Sequence, residues 1–346
     1  MYFASDNTAG VAPEILEALA RANTGYALGY GNDDWTRRVE RRFAELFEKE
    51  VAVFLVPTGT VANALALAHV TPPWGAVLCH KDSHVATDEC GAPEFFGGGI
   101  KLVGLAGEGA KISAATLRAA LAGAWGGPHH VSPAALSLSQ ATECGTIYRV
   151  AEVRELAEIA HARGMLVHAD GARIGNALAR MNVSLAEITW KAGVDVLSFG
   201  ATKGGALGAE AVIFFDPARG AFMQDRRKRG GALASKHRFI AAQMEAYLAG
   251  DLWLKLARHA NAMADLLAAG LTAAGCKPIW PVEANEVFAP ITLDADKRLK
   301  AAGAMYYPWP GEDLGIEADK ILVRLVTSFQ TTRDDVEKFL AILRSK

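Results

Sequence analysis

The sequence lacks a disulfide framework and a zinc-binding cysteine pattern. Its four cysteines are scattered over 346 residues, without a Cys-x-x-Cys pair, at Cys79, Cys90, Cys144 and Cys276. An excess of one charge is also missing, because 36 Lys and Arg residues balance 38 Asp and Glu residues. This balance gives no reason to expect nucleic acid or an anionic membrane surface as a partner.

Long apolar runs and a leader-type N-terminus are absent as well. No stretch approaches the ~20 uninterrupted apolar residues that are needed to cross a bilayer. The first residues, Met1–Asp6, lack the basic start and apolar run of a signal peptide. We therefore expect a cytoplasmic protein without a membrane partner.

Apolar material is abundant, at 51% of the residues, and this is enough for a large core. A chain of 346 residues is longer than one typical domain, so we expect two lobes. The change of sequence pattern near residue 235 predicts an N-terminal segment (1–20), a large domain (21–235) and a small C-terminal domain (236–346).

Short apolar runs alternate with helical patterns through the first 215 residues, which predicts an α/β fold with a mostly parallel sheet flanked by helices. Such folds bind ligands at the carboxyl ends of their strands. Strands are predicted at Val51–Val56, Val77–Cys79, Leu102–Leu105, Leu136–Ser139, Met165–Ala169, Val194–Phe199, Ala211–Phe215 and Ile321–Val326. A long helix after Ser235 has an expected buried face of Leu252, Leu256, His259, Met263 and Leu266.

A lysine directly after an apolar strand is the strongest candidate for chemistry. Lys203 is flanked by Thr202 and Gly204, within a segment of small residues that let a bulky group approach the backbone. A partly desolvated lysine loses its proton and condenses with a carbonyl to form a Schiff base. Taken alone, this lysine is also compatible with a surface or structural role.

A second apolar strand ends in an acid, Asp170. It precedes Lys203 by 33 positions (203 − 170), about one strand–helix–strand unit, so both are expected at the same edge of the sheet. A carboxylate beside a pyridine nitrogen keeps that nitrogen protonated, and the ring then accepts electrons from a substrate carbanion. An isolated Asp-Gly would instead indicate a turn.

Two further elements suggest anion binding. The Thr58-Gly59-Thr60 turn opens a helix, where free N–H groups favour a phosphate, although a threonine there also serves as an ordinary helix cap. Arg324 interrupts an apolar strand, and a buried guanidinium requires an anion whose geometry matches its fork, such as a carboxylate. The alternative places Arg324 on the solvent face of an edge strand.

Together these motifs resemble those of the fold-type-I pyridoxal 5′-phosphate (PLP) enzymes, and within them the threonine aldolase family. The most specific part is His168-Ala169-Asp170-Gly171-Ala172-Arg173 followed by Lys203. The resemblance runs over most of the chain and includes Ser5-Asp6-Asn7-Thr8, Tyr30-Gly31-Asn32-Asp33, Thr58-Gly59-Thr60, His84 with Glu89, and Arg324. It implies PLP as cofactor and a fold with a smaller C-terminal α+β domain.

The resemblance also implies roles for individual residues. Lys203 would carry the cofactor as a Schiff base, Asp170 would pair with the pyridine nitrogen and His84 would stack on the ring. The residues implied at the cofactor phosphate are Gly59, Thr60, Thr202 and Lys228. Those implied at the substrate are Ser5, Tyr30, Arg173 and Arg324, with Arg173 also near the cofactor.

The resemblance leaves the catalytic base open between His84, a water and His130. His130 matches a family histidine near the substrate side chain, and His129 beside it is the alternative match. His80 and His84 have the i, i+4 spacing of a metal pair. No carboxylate-plus-histidine motif accompanies them on a clear helix, so we expect no metal site.

The implied reaction is cleavage of L-β-hydroxy-α-amino acids, such as L-threonine, L-allo-threonine and L-β-phenylserine, to glycine and an aldehyde. Another PLP reaction on the same fold (β-elimination or transamination) and a non-enzymatic PLP-binding role are the alternatives. A homodimer or homotetramer is implied, because members of the family complete each site with residues from a neighbour.

The sequence departs from the family pattern in two places. Many relatives carry Glu-Asn-Thr-His-Asn where this chain has Gln140-Ala141-Thr142-Glu143-Cys144, so contacts near the ring and substrate are expected to differ. The basic run Arg226-Arg227-Lys228-Arg229 is shifted from the family's phosphate-binding segment. A solvated helix face or loop is therefore the alternative role for this run.

Overall fold

A computed structural model of the chain describes residues 1–311 and 314–345. Within these residues the large sheet consists of β1 (Ala52–Val56), β2 (Gly75–His80), β3 (Lys101–Leu105), β4 (Ser132–Ser139), β5 (Leu166–Gly171), β6 (Val196–Gly200) and β7 (Glu210–Phe214). The strand order is β1-β7-β6-β5-β4-β2-β3. Strands β2 to β6 pair in parallel, and β7 is antiparallel to both of its neighbours. The predicted mostly parallel sheet is confirmed.

The strands of this sheet are apolar because helices cover both of its faces. Strands β2, β6 and β7 are buried along their whole length, which explains why they appear in the sequence as continuous apolar runs. Every strand predicted from the sequence is present, with ends that differ by a few residues.

The described part of the chain contains helices α1 (Pro13–Ala22), α2 (Asp34–Phe47), α3 (Gly59–Val70), α4 (His84–Thr87), α5 (Ala92–Phe96), α6 (Ala114–Leu121), α7 (Val150–His161), α8 (Ile174–Met181), α9 (Leu185–Ile188), α10 (Met223–Arg229), α11 (Arg238–Leu248), α12 (Leu252–Ala273), α13 (Leu293–Ala301) and α14 (Arg333–Arg344). Side-chain caps fix several of their starts, as at Asp33 for α2 and Thr58 for α3. None of these helices has both the length and the apolarity of a membrane span.

A second, smaller sheet consists of β8 (Glu286–Thr292), β9 (Tyr307–Pro308) and β10 (Lys320–Val326). All its pairs are antiparallel, and β10 lies between β8 and β9. This central position of β10 decides between two interpretations of Arg324, because the sequence alone allowed Arg324 to lie on the solvent face of an edge strand. That alternative is wrong.

Each of the two sheets has one main apolar cluster, and smaller clusters also pack against the large sheet. The main cluster of the large sheet extends along the chain as far as Leu252 and Trp253, and that of the small sheet takes up Ala264 and Leu267 of the same helix α12. The N-terminal Phe3 also belongs to the cluster of the small sheet. The packing thus changes within α12, and the predicted domain boundary at residue 235 stays a prediction.

The buried face of α12 differs from the predicted one: most of its residues lie one position further along the chain. His259 is exposed and Leu256 and Met263 are only partly buried, whereas the buried positions include Trp253, Ala257, Ala260, Ala264, Leu267 and Leu271. The alanines on this face let α8 approach closely, with Gly175 against Trp253 and Ala257. Choosing the larger side chains as the buried face missed this close packing.

Candidate active site

A cleft of about 790 Å³ opens at the carboxyl ends of the parallel strands, where it also contacts the small sheet. Nine residues that the sequence analysis singled out line this cleft: Ser5, Gly59, Thr60, His84, Asp170, Arg173, Thr202, Lys203 and Arg324. We name its two halves by their cations. The lysine end is formed by Asn63, His84, Glu89, Asp170 and Lys203. The arginine end is formed by Asp6, Arg173, Glu286 and Arg324.

Lys203 follows β6 in a turn of small residues. Its ammonium group makes no hydrogen bond or ion pair within the described residues. The glycines around it are required by close packing of the protein itself. A Cβ added at Gly204 would lie 1.9 Å from the Tyr247 hydroxyl, and one at Gly200 would lie 2.7 Å from Ala172 Cα. The turn therefore fixes the backbone and leaves the lysine amine available.

Asp170 lies at the end of β5, next to β6 in the sheet. Its Oδ2 accepts a hydrogen bond from Asn63 Nδ2 at 2.9 Å, and its Oδ1 accepts one from the backbone N–H of Ala172 at 3.0 Å. Both donors fix the orientation of the carboxylate at the cleft. A carboxylate has lone pairs for further donors, so Asp170 can still accept from a ligand.

His84 is held from two sides. Its Nδ1 lies 2.9 Å from Glu89 Oε1, which also accepts from Asn63 Nδ2 at 2.8 Å. The hydrogen bond with Glu89 raises the pKa of His84, and burial raises the pKa of Glu89. Asn63 donates to both carboxylates of the lysine end, so one amide group holds Glu89 and Asp170 together.

The corner at the start of α3 suits an anion. Thr58 caps the helix by accepting from Val61 N–H at 3.3 Å, and Gly59 and Thr60 line the cleft beside it. A Cβ added at Gly59 would meet nothing within 4 Å, so space is open next to the helix N-terminus. The other predicted phosphate residue of the cleft, Thr202, accepts a hydrogen bond from the Ala209 N–H at 3.3 Å. Glu210 also lines the cleft, and burial raises its pKa to about 7.

The arginine end is a set of buried ion pairs. Arg173 donates from Nε and Nη2 to the two carboxylate oxygens of Asp6, at 2.7 and 3.1 Å, and its Nη1 lies 3.5 Å from Glu286 Oε2. Arg324 donates from Nη2 and Nε to Glu286 Oε1, at 2.7 and 3.3 Å. Burial alone would raise the pKa of Asp6, but Arg173 and Lys203 more than offset it, and the pKa is lowered. Both arginines already have a carboxylate partner.

Three residues from the sequence analysis lie outside the cleft of their own chain. Tyr30 and Lys228 contact each other at the surface, with Lys228 Nζ 4.6 Å from the centre of the Tyr30 ring. His130 precedes β4, whose opposite end, Ser139, reaches the cleft. The strand between them spans roughly 20 Å. Their assigned roles are therefore not supported within one chain.

The sequence analysis assigned no site role to Asn63, Glu143, Glu210 or Glu286. Asn63 had a signal, since it is the polar residue within the apolar helix segment 61–68. Glu143 lies in the segment that departs from the family pattern. Its Oε1 accepts from the His84 backbone N–H and from the Ser139 hydroxyl, both at 2.8 Å, and burial raises its pKa to about 7.

Comparisons with known proteins agree with this geometry. The profile of the beta-eliminating lyase family matches residues 2–293. The low specificity L-threonine aldolase of Pseudomonas aeruginosa is 43% identical over 311 residues, which is 90% of each chain, and that of a Pseudomonas species is 40% identical over 89% of each chain. The solved threonine aldolase of Leishmania major superposes with a TM-score of 0.93 at 29% identity, over 99% of this chain and 98% of that one. The chain therefore belongs to the beta-eliminating lyase family, with a fold-type-I PLP-enzyme architecture.

Proposed function

We propose that the protein is a PLP-dependent aldehyde-lyase that cleaves L-β-hydroxy-α-amino acids to glycine and an aldehyde. Its substrates would include L-threonine, L-allo-threonine and L-β-phenylserine. The observation that carries this proposal is a cleft with Lys203 and Asp170 at the ends of adjacent strands and two arginines at its opposite end. Relatives named low specificity L-threonine aldolase, at 43% and 40% identity, support the same reaction.

The residues of the cleft fit PLP. Lys203 offers an amine that has no partner in the described part of the chain, and Asp170 offers an oriented acceptor for the ring nitrogen. Open space at Gly59 lies beside the N–H groups of α3, where a phosphate would be held. Asn63 Oδ1 and Glu89 Oε2 are buried at the lysine end and have no hydrogen-bond partner within residues 1–311 and 314–345, which is expected where a polar ligand completes a site.

PLP, when bound, supplies an electron sink for the bond that breaks. Asp170 would keep the ring nitrogen protonated, and Asn63 keeps the Asp170 carboxylate in place for this task. His84, positioned by Glu89, would accept the proton of the substrate β-hydroxyl directly or through a water. Arg324 would hold the substrate carboxylate so that the Cα–Cβ bond stands perpendicular to the ring.

Product analysis tests the reaction. Purified protein with L-threonine should yield glycine and acetaldehyde in equal amounts, without ammonia or a keto acid. The matched blank is the Lys203→Ala variant, which should give no product. Ammonia and a keto acid from the wild-type protein would instead establish β-elimination, and no product from any β-hydroxy amino acid would favour a non-enzymatic role.

We also propose a homodimer or homotetramer in which Tyr30 and Lys228 serve a neighbour's cleft. Both residues are exposed in the single chain, and Tyr26 and Leu28 nearby are large, exposed apolar residues that a partner would cover. Light scattering should show an assembly, and an active monomer would refute the proposal. Mixing Lys203→Ala with Lys228→Ala subunits should restore part of the turnover, because one hybrid cleft then carries both native residues.

Cytoplasmic localisation is a further proposal. All four cysteines are free, and two of them, Cys79 and Cys144, are buried. Free buried thiols are typical of proteins that fold in a reducing compartment. Fractionation of cells that express a tagged full chain should recover it with cytoplasmic markers, and recovery from a secreted fraction would contradict this.

A further inference from the structure

The substrate-facing arginine of the cleft already carries a carboxylate from the protein itself. Glu286 Oε1 accepts from both Nε and Nη2 of Arg324, at 3.3 and 2.7 Å. These two nitrogens form one edge of the guanidinium, and carboxylates bind bidentately along such an edge. Glu286 thus occupies one of the two bidentate edges of the Arg324 guanidinium, and it engages Nη2, which the other edge shares.

The register of the small sheet places Glu286 there. Arg324 lies directly opposite Phe288 across the β8–β10 pair, and Glu286 is two residues from Phe288 on the same strand face. Diagonal neighbours of this kind are within reach of long side chains. Trp309 packs against the other side, with the Arg324 guanidinium 5.7 Å from its ring centre. All three side chains, Glu286, Trp309 and Arg324, line the cleft.

The charges at the arginine end cancel without a ligand. Arg173 is neutralised by Asp6 in a bidentate pair, and Arg324 is neutralised by Glu286. The Glu286 side chain is fully buried, so its charge is not screened by water. An incoming carboxylate therefore enters an electroneutral cluster and must compete with Glu286 for Arg324. The second oxygen of Glu286, Oε2, makes no hydrogen bond with the described residues and lies 3.5 Å from Arg173 Nη1.

We propose that Glu286 is a specificity-determining residue, an internal competitor that the ligand's α-carboxylate displaces from Arg324. This inference rests on the proposed function, which assigns Arg324 to the substrate carboxylate. Glu286 stabilises the arginine in the substrate-free cleft and weakens the binding of amino acids. A ligand without a carboxylate cannot displace it, so Glu286 also selects against amines and amides.

The test uses the full-length holoenzyme and glycine, a ligand that needs no bond cleavage. Its Kd is read from the change in cofactor absorption on titration. Glu286→Gln keeps the shape and removes the charge, so we expect a Kd about tenfold lower than in the wild type, equivalent to about 1.4 kcal/mol. The control is Glu283→Gln, three positions before Glu286 in the sequence. Glu283 pairs with Arg149 and does not line the cleft, so this variant should leave the Kd unchanged.

A second readout does not depend on the cofactor. In the cofactor-free chain, acetate should raise the thermal midpoint of Glu286→Gln more than that of the wild type, because acetate replaces the missing carboxylate on Arg324. If Glu286→Gln does not fold, Glu286→Asp is the second variant. Its shorter side chain holds Arg324 less closely and should also lower the Kd for glycine.

Failure of this inference and failure of the proposed function give different results. A Kd for glycine that is unchanged or higher in both Glu286 variants would mean that Glu286 orients Arg324 instead of competing, and would overturn the inference. Normal glycine binding by Arg324→Gln would instead show that Arg324 does not bind the substrate carboxylate, and would contradict the role that the proposed function gives it.

Discussion

The lysine end and the arginine end of the cleft are held together by different interactions. At the lysine end a neutral amide, Asn63, donates to two carboxylates, and the ammonium group of Lys203 has no hydrogen-bond or ion-pair partner among the described residues. At the arginine end two guanidinium groups are each matched by a carboxylate. The lysine end thus has an amine available to a ligand, whereas at the arginine end protein carboxylates already pair with the cations.

The difference follows from how each end is assembled. Asp170 lies at the carboxyl end of β5 and Lys203 follows the neighbouring parallel strand β6, so the topology of the sheet alone brings them together. The arginine end combines the N-terminal turn with β8, β10 and the segment after β5. Its contacts depend on the register of an antiparallel pair, and one residue of slip would move Glu286 to the other face.

The largest effect should come from Asp170→Asn, which tests the lysine end. The amide cannot hold a proton on the ring nitrogen, so kcat should fall by about three powers of ten, or about 4 kcal/mol of transition-state stabilisation, while PLP stays bound. The control is Asp195→Asn. Asp195 directly precedes β6, at the end of the strand opposite the cleft, and accepts a hydrogen bond from the Val167 N–H, so this variant should keep most of the turnover. Near-normal kcat in Asp170→Asn would contradict the proposed pairing.

Arg324→Lys tests the arginine end. Lysine keeps the charge but loses the fork, so the substrate carboxylate can swing out of alignment. We expect kcat/KM to fall by about two powers of ten, or about 3 kcal/mol. Arg180→Lys is the matched control, because Arg180 makes a bidentate pair with Asp265 elsewhere on the protein. Equal kinetics for both variants would show that the fork of Arg324 has no role.

Asn63→Ala should have a smaller effect, since it removes a positioning residue that we do not place in contact with substrate. Losing its two hydrogen bonds frees Asp170 and Glu89 to repel each other, and kcat should fall roughly tenfold, or about 1.4 kcal/mol. The optimum pH of kcat should also shift, because Glu89 sets the pKa of His84. Asn261→Ala, which removes a buried amide bonded to Asn176, should lower stability without this shift.

The smallest effect concerns stability at Glu143. Burial raises the pKa of this carboxyl from 4.5 to about 7, so the folded protein favours its neutral form. Stability contributed by that form is fully present below pH 4.5, where the unfolded chain is protonated too, and is lost as the pH rises from 4.5 through about 7. Glu143→Gln removes this loss. The free energy of unfolding of the variant relative to that of the wild type should therefore be about 1–2 kcal/mol higher at pH 8 than at pH 5.5. The measurement is the urea-unfolding midpoint of both proteins. A difference between the two midpoints that is the same at pH 5.5 and at pH 8 would contradict the assignment.

The sequence predicted those parts of the fold and site that depend on strand order and strand ends. The apolar runs predicted β1 to β7 and β10 but not β8 or β9, and the carboxyl ends of β5 and β6 supply Asp170 and Lys203 of the lysine end. The antiparallel direction of β7 was not predicted, because a buried strand has the same composition in either direction. Glu286 was missed because its pairing with Arg324 depends on β-sheet register, and small alanines concealed the buried face of α12.

Reduction of the holoenzyme with borohydride tests the central claim most directly, namely that the lysine end holds PLP on Lys203. Reduction fixes the cofactor to its amine, and peptide mapping then identifies the modified residue. The account predicts one modified peptide, carrying the label on Lys203, and its loss in Lys203→Ala. A label on any other lysine, such as the exposed Lys228, or no label in protein that cleaves threonine, would contradict it.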